Sequence, residues 1–264
     1  MPKTVLVTSA AGRLGAAVAQ ALALAGHTAY AGFGSTSGPP SGILDGRARE
    51  DARLRPLALD VADQRSVSAA ISDATREAGQ IDVVIHTVGS VPRGPVESFT
   101  PYQLARIYDA HVLSAQRVNR AVLPLMRARQ DGLLVWVVPL GRHGEVSPYL
   151  ALHSEAVTVI DHLAASYAKE LTGFGIETSI VVSGSLLDDS GQHPQLIRPD
   201  DVETAHAYEK RYPGLADRVD VALAAGAVAD TEIARAARVI AELVDSPKGS
   251  RPPRVNLGRL PADG

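Results

Sequence analysis

Histidine and tyrosine side chains can carry proton-transfer chemistry in this chain, whereas cysteine is absent and lysine is scarce. The chain has eight histidines and seven tyrosines, but its only lysines are Lys3, Lys169, Lys210 and Lys248. An imidazole titrates near neutral pH and can both donate and accept a proton. The absence of cysteine excludes disulfides and thiolate metal sites. A mechanism that needs a lysine can draw on four positions only.

A glycine-bearing turn near the N-terminus is the second chemical feature, with the sequence Thr8-Ser-Ala-Ala-Gly-Arg-Leu-Gly15. It lies between a β-branched run at 4–8 and a helical pattern at 14–24. In that context glycines let backbone amides approach a phosphate at the helix N-terminus, where the helix dipole also favours anions. Gly12 and Gly15 fit this role, whereas Ser9 stands where the tight turn would favour a glycine. The turn predicts a pyrophosphate site.

An α/β framework must position these groups, because short strands alternate with helical patterns along the chain. The predicted strands are 4–8, 28–31, 57–61, 82–87, 132–138, 175–182 and 254–257, and the main helices are 14–24, 64–78, 101–129, 148–172 and 232–244. Buried strands without polar alternation indicate a parallel sheet covered on both faces. We predict one domain over residues 1–264, with a Rossmann-like doubly wound parallel sheet of about seven strands. Residues 186–229 are predicted to form a substrate lid within it.

Composition excludes several classes of function. The net charge of -3 and the 21% of charged residues do not indicate a nucleic-acid-binding protein. A membrane-spanning helix needs about 18 or more consecutive apolar residues, and the sequence contains no such run. Because a strand begins within a few residues of the N-terminus, we expect no signal peptide and a cytoplasmic location.

Four further segments carry a family resemblance. Asp60 ends a predicted strand in the sequence Leu-Asp-Val, the buried strand at 81–85 is followed by His-Thr-Val-Gly89, and the segments 117–124 and 174–182 continue the pattern. Together with the glycine turn, they resemble the short-chain dehydrogenase/reductase family over roughly residues 3–258. The resemblance implies that Ser9, Gly12, Gly15 and Gly89 line a dinucleotide site. It also implies that Asp60 accepts a hydrogen bond from the adenine amino group.

The catalytic residues of that family are changed in this chain. The family uses a Tyr-x-x-x-Lys pair, but no tyrosine here has a lysine four residues later. The tyrosine position falls on His153 and the lysine position on Val157. The family serine falls on Leu140 and the family asparagine on His111. Tyr149, one turn before His153, is a second candidate acid, but a shift of about 6 Å along the helix argues against it.

The predicted catalytic residues are therefore His153 and His111, whose positions lie near one another in this fold. The main hypothesis is a repurposed enzyme that performs a non-redox cyclisation, isomerisation or aldol-type step on a mid-sized organic molecule and requires no cofactor. One alternative is a non-catalytic protein that binds a metabolite or dinucleotide, or that supports an active paralogue. The other is an atypical NAD(P)-dependent oxidoreductase in which His153 replaces the tyrosine.

The remaining expectations concern metal and partners. A zinc site built from His86, His111 and His153 is disfavoured, because His86 should lie apart from the other two, so no metal is predicted. The helices at 101–129 and 148–172 match the pair through which the family usually dimerises, so a homodimer or homotetramer is expected. Apolar side chains on the first helix either supply that interface or face the chain's own core; they are Tyr102, Leu104, Ile107, Leu113 and Ala115.

Overall fold

Seven parallel strands form the central sheet of the computed structural model, which describes residues 1–34, 53–87, 90–139, 148–183, 196–225 and 230–257. The strands of this sheet are β1 (Thr4–Val7), β2 (Thr28–Phe33), β3 (Leu54–Ala58), β4 (Val83–His86), β6 (Gly132–Pro139), β7 (Ile176–Ser183) and β9 (Arg254–Asn256). Their order is β3-β2-β1-β4-β6-β7-β9. The order reverses between β1 and β4, which is where doubly wound sheets bind ligands beyond their carboxyl ends.

Helices cover both faces of the sheet. They are α1 (Arg13–Leu24), α2 (Gln64–Ala78), α3 (Pro101–Tyr108), α4 (Ser114–Arg129), α5 (Ala151–Leu171), α6 (Val202–Arg211), α7 (Leu215–Ala225) and α8 (Asp230–Asp245). The predicted fold class, a single-domain Rossmann-like sheet with helices on both faces, is confirmed.

The two faces of the sheet have cores of different composition. The core that includes side chains of α1 and α8 is built almost entirely from valine, alanine, leucine and isoleucine. The core that includes side chains of α2, α4 and α5 also contains the large side chains of Tyr30, Met126 and Trp136. Burial of this aliphatic and aromatic surface is the main stabilising contribution to such a fold.

The long helix predicted at 101–129 is interrupted. The capping box at its start is regular, because Thr100 Oγ1 accepts a hydrogen bond from the Gln103 amide. A π-helical turn at Asp109–Leu113 then separates α3 from α4. Such turns insert an extra residue into a helix and are frequent at functional sites, and hydrophobic periodicity alone gives no signal for them.

The lid predicted at 186–229 is described only for residues 196–225. Its strand β8 (Leu196–Ile197) pairs in parallel with β5 (Val91–Pro92), which follows β4 in the chain. The helices α6 and α7 come next in the chain. The segment after β4 and the base of the lid are therefore joined by backbone hydrogen bonds.

Candidate functional site

The glycine turn lies at the N-terminus of α1. Gly12 is the residue before the helix and no side chain caps it. A Cβ built on Gly12 would have no atom within 4 Å, so the turn faces open space there. A Cβ on Gly15 would lie 1.9 Å from the Ser9 carbonyl oxygen, so only glycine fits at that position. The first turn of α1 therefore presents amides with no capping side chain, which is the arrangement that receives phosphates.

Asp60 follows β3 and has one carboxylate oxygen already engaged. Its Oδ1 accepts a hydrogen bond from the Ala62 amide at 3.0 Å, and its own amide donates to Ser66 Oγ at 2.9 Å. Within the described part of the chain its Oδ2 has no hydrogen-bond partner. Asp60 can thus both fix the turn into α2 and accept a bond from a ligand amino group. Gly89, the remaining predicted cofactor residue, lies outside the described residues.

His111 occupies the π-helical turn and is buried. Its Nε2 lies 2.8 Å from Ser90 Oγ, while its Nδ1 is buried and has no hydrogen-bond partner among the described residues. The pKa of His111 is lowered to about 4, mainly by burial and also by the charge of a protonated His153, while hydrogen bonding to the Ser90 backbone raises it. At neutral pH the ring is therefore neutral. Sequence reasoning missed Ser90, because a single serine after a strand carries no motif.

His153 lies in the first turn of α5. Its Nδ1 is buried and has no hydrogen-bond partner within the described residues, and burial lowers the pKa of the ring from 6.5. Because the charge of His153 acts on the pKa of His111, the two rings lie within electrostatic reach of each other. The two predicted catalytic histidines thus interact electrostatically, and each has a buried ring nitrogen with no hydrogen-bond partner in the part of the chain that the structure describes.

His86 is part of the protein core. Its Nε2 lies 2.8 Å from Asn119 Oδ1, and its ring packs on Trp136 with 4.5 Å between centroids. Burial lowers the pKa of His86 to about 4, against the effect of the Asn119 hydrogen bond. Within the described residues no three histidine or acidic side chains are grouped so that they could hold a metal ion.

The position of Tyr149 differs from the one expected from the sequence. The predicted helix at 148–172 begins at Ala151, and Tyr149 has a φ of 65°, in the left-handed region that side-chain-bearing residues rarely adopt. The estimate of a 6 Å shift along a helix is therefore wrong, since Tyr149 is not on that helix. Its hydroxyl is buried and has no hydrogen-bond partner among the residues that the structure describes. Burial and the nearby Glu209 raise the pKa of Tyr149, while Arg93 lowers it, so the phenol stays protonated at neutral pH.

Part-buried polar contacts hold the described part of the predicted lid segment in place. The Arg93 guanidinium donates to the carboxylate of Asp220 in α7 through two nitrogens, with Nε 2.6 Å from Oδ1. The side chain of Gln103 in α3 donates to the Arg198 carbonyl and accepts from the Asp200 amide, each at 2.9 Å. These contacts fix the segment at 196–225 beside the segment that carries Ser90.

Comparisons with known proteins agree on one protein family. The sequence profile described as short chain dehydrogenase matches residues 3–192. Oxidoreductase BOA17 of Botryotinia fuckeliana is 28% identical over 193 residues, which cover 72% of this chain and 68% of that protein. The 3-ketodihydrosphingosine reductase of Bacteroides thetaiotaomicron is 26% identical over 69% of this chain and 64% of that protein, which is under two thirds of its length.

Solved structures show the same fold. A short-chain dehydrogenase from Streptomyces avermitilis has a TM-score of 0.78 at 23% identity, covering 97% of this chain and 88% of that one. The 3-ketoacyl-(acyl-carrier-protein) reductase from Brucella melitensis, solved in complex with NADH, has a TM-score of 0.62 at 20% identity, covering 78% and 90%.

These findings contradict two expectations: a non-redox reaction and the absence of a required cofactor. The family and the relatives named above are dehydrogenases, oxidoreductases and reductases, and the Brucella structure contains NADH. The loss of a tyrosine–lysine pair removes one proton-transfer system, and another ionisable side chain such as histidine can also carry a proton. No helix in the described residues is long and apolar enough to cross a membrane.

Proposed function

The chain belongs to the short-chain dehydrogenase family, and from this premise we propose that it is an NAD(P)-dependent oxidoreductase that interconverts an alcohol and a carbonyl compound. His153 takes the proton-transfer role of the family tyrosine. The observation that supports this most directly is a pair of imidazoles within electrostatic reach of each other, each with a buried nitrogen that has no hydrogen-bond partner among the described residues. Most buried polar atoms in native proteins have a partner, so a ligand or a water is expected to complete these nitrogens.

The cofactor would be held by residues that fit it. The open space at Gly12 and the uncapped first turn of α1 suit a pyrophosphate, and the free Oδ2 of Asp60 suits the adenine amino group. A bound nicotinamide would supply the hydride acceptor or donor. The end of β2, at 31–34, has neither an acid for a ribose hydroxyl nor an arginine for a 2′-phosphate, so the preference between NAD and NADP is left to the experiment.

His153 is suited to act as a base at neutral pH. Because burial lowers its pKa below 6.5, the ring is neutral at pH 7 and can accept the proton of an alcohol as hydride leaves the carbinol carbon. In the reverse direction the protonated ring must donate to the carbonyl oxygen. Alcohol oxidation should therefore rise as pH increases through the pKa of His153 and then level off, while carbonyl reduction should fall.

Calorimetric titration with NAD⁺, NADH, NADP⁺ and NADPH is the first test, and we expect at least one to bind. Gly12→Val should abolish binding, because its side chain would fill the open approach to the turn while its φ of -86° tolerates a side chain. Gly173→Val is the matched control, since a Cβ there also meets nothing within 4 Å. Failure of all four cofactors to bind the folded wild-type protein would overturn the proposal.

The role of His153 is tested with a panel of secondary alcohols, by following the absorbance of the reduced nicotinamide. His153→Phe should lower alcohol oxidation at least about 100-fold, the usual range for a lost acid–base group, with cofactor affinity unchanged. His162→Phe, on the exposed side of the same helix, should retain wild-type turnover. Wild-type rates in the His153 variant would exclude this mechanism.

We propose in addition that the protein is a homodimer or homotetramer without a paralogue partner. Tyr102, in the first turn of α3, and Leu113, in the π-helical turn, are 71% and 47% exposed, and they would supply apolar surface for contact. Ile107 and Ala115 are buried in the chain's own core, so the interface expected from sequence is smaller than the five residues named for it. Light scattering after size exclusion measures the assembly directly.

A further inference from the structure

We propose that Ser90 donates the hydrogen bond that binds the reacting oxygen of the substrate, and that His111 is the positioning residue that leaves the serine hydrogen free to do so. The inference rests on the proposed oxidoreductase function. It adds a substrate-binding group that neither the sequence motifs nor the relatives indicate.

The argument begins with the two neutral forms of His111. If Nδ1 carries the hydrogen, a buried N–H is left without an acceptor, and Ser90 must donate to Nε2. If Nε2 carries the hydrogen, it donates to Ser90 Oγ across the 2.8 Å contact, and only a lone pair on Nδ1 is left unpaired. Orphaned buried N–H groups are rarer in proteins than acceptors with an unused lone pair. The Nε2–H form is therefore the more stable one.

In this form the Ser90 oxygen accepts a bond and its hydrogen has to be donated elsewhere. Within the described residues, the Ser90 hydroxyl has no partner other than His111. Its side chain is half-buried, so the hydrogen can reach a ligand. An acceptor that fits is the oxygen of a carbonyl compound, or the same oxygen as it becomes an alkoxide. A hydroxyl that already accepts a bond from an N–H is polarised and donates more strongly.

The surroundings of Ser90 place this donor at the proposed site. The next residue starts β5, whose pairing with β8 connects it to the lid base. Its partner His111 lies within electrostatic reach of His153. Ser90 and His153 would then act on one substrate oxygen, the serine as hydrogen-bond donor and the imidazole as proton carrier.

A competing role for the same pair is nucleophilic catalysis. A serine nucleophile would require His111 to accept the serine proton at Nε2, which is the form with an unpaired buried Nδ1–H. The two roles thus require opposite tautomers of His111.

The first experiment determines the tautomer of His111, in protein that is labelled with ¹⁵N-histidine and contains no cofactor or substrate. Two-bond ¹H–¹⁵N spectra at pH 7 should show His111 protonated at Nε2, with assignment by His111→Gln. Protonation at Nδ1, or labelling of Ser90 by a fluorophosphonate probe, would overturn the proposal. Because this measurement needs no nicotinamide, its failure is distinguishable from a failure of the oxidoreductase function.

Kinetics supply the second arm, with the secondary alcohol that the panel identifies. Ser90→Ala should lower kcat about 100-fold, the effect typical of losing one donor to a reacting oxygen, with cofactor affinity unchanged. Ser90→Thr keeps the hydroxyl and should recover part of the rate. Ser98→Ala is the control, since that buried hydroxyl already donates to the Pro95 carbonyl at 2.6 Å. Unchanged kcat in Ser90→Ala would exclude the role.

Discussion

His86 and His111 are two buried histidines with nearly the same local chemistry and different surroundings. Each Nε2 lies 2.8 Å from an oxygen, and burial lowers the pKa of each ring to about 4. His86 is enclosed by Asn119 and Trp136 in the core. His111 contacts the half-buried Ser90, and a charge on His153 lowers its pKa. A lowered pKa therefore reports burial, whereas an accessible partner and a second titrating group indicate a site.

The largest expected effect is a difference in the free energy of unfolding between variants of these two histidines. His86→Ala should lower the free energy of unfolding by about 4 kcal/mol, because it leaves a cavity against Trp136 and an unpaired Asn119 carbonyl. His111→Ala should cost about half as much, since water can reach Ser90. Urea denaturation measures both, with the exposed His162→Ala as the control. An equal loss of unfolding free energy in His86→Ala and His111→Ala would contradict the distinction between a core histidine and a site histidine.

A somewhat smaller effect is expected from acid. The unfolded chain takes up protons on these histidines at pH values where the folded protein keeps them neutral, so stability is present above pH 6.5 and is lost as pH falls toward 4. For His86 the loss by pH 4 should be on the order of 3 kcal/mol. His86→Gln should flatten that part of the curve of unfolding free energy against pH. A wild-type slope in this variant would show that His86 does not titrate in this way.

The smallest effect compares two tyrosine hydroxyls. Tyr149→Phe removes a buried hydroxyl that has no partner in the described part of the chain, so stability should stay within about 1 kcal/mol of wild type or rise. Tyr167→Phe removes the hydroxyl that donates to Gln116 and should cost about 1 kcal/mol. Thermal unfolding at pH 7 gives both values. A larger loss at Tyr149 than at Tyr167 would mean that its hydroxyl is bonded.

The framework was predictable because it follows from periodicity. The helix predicted at 64–78 is present as α2 with the same bounds, and Asp63 caps it by accepting a bond from the Arg65 amide. The strand predicted at 57–61 is shifted to Leu54–Ala58, since the hydrogen bonds of Asp60 turn the chain toward α2 before the apolar run ends.

The site was predictable only where a position in a motif determines it. His111 and His153 came from their positions in the family pattern, and the structure brings them within electrostatic reach. Ser90 comes from a contact across 21 residues that no local pattern records. Tyr149 was placed on a helix because nothing in its residue type signals a left-handed backbone.

The π-helical turn at Asp109–Leu113 gives the chain one residue more than a regular helix would use over the same path. Loss of a single codon from this segment would restore a continuous helix from α3 to α4. Because a regular helix covers the same path with one residue fewer, α3 and α4 would keep their directions, and the residues between them would move to regular helical positions. The contact between His111 and Ser90 would then be broken without any change of residue type. The position of the His111 ring therefore depends on the number of residues in this segment as well as on their identity.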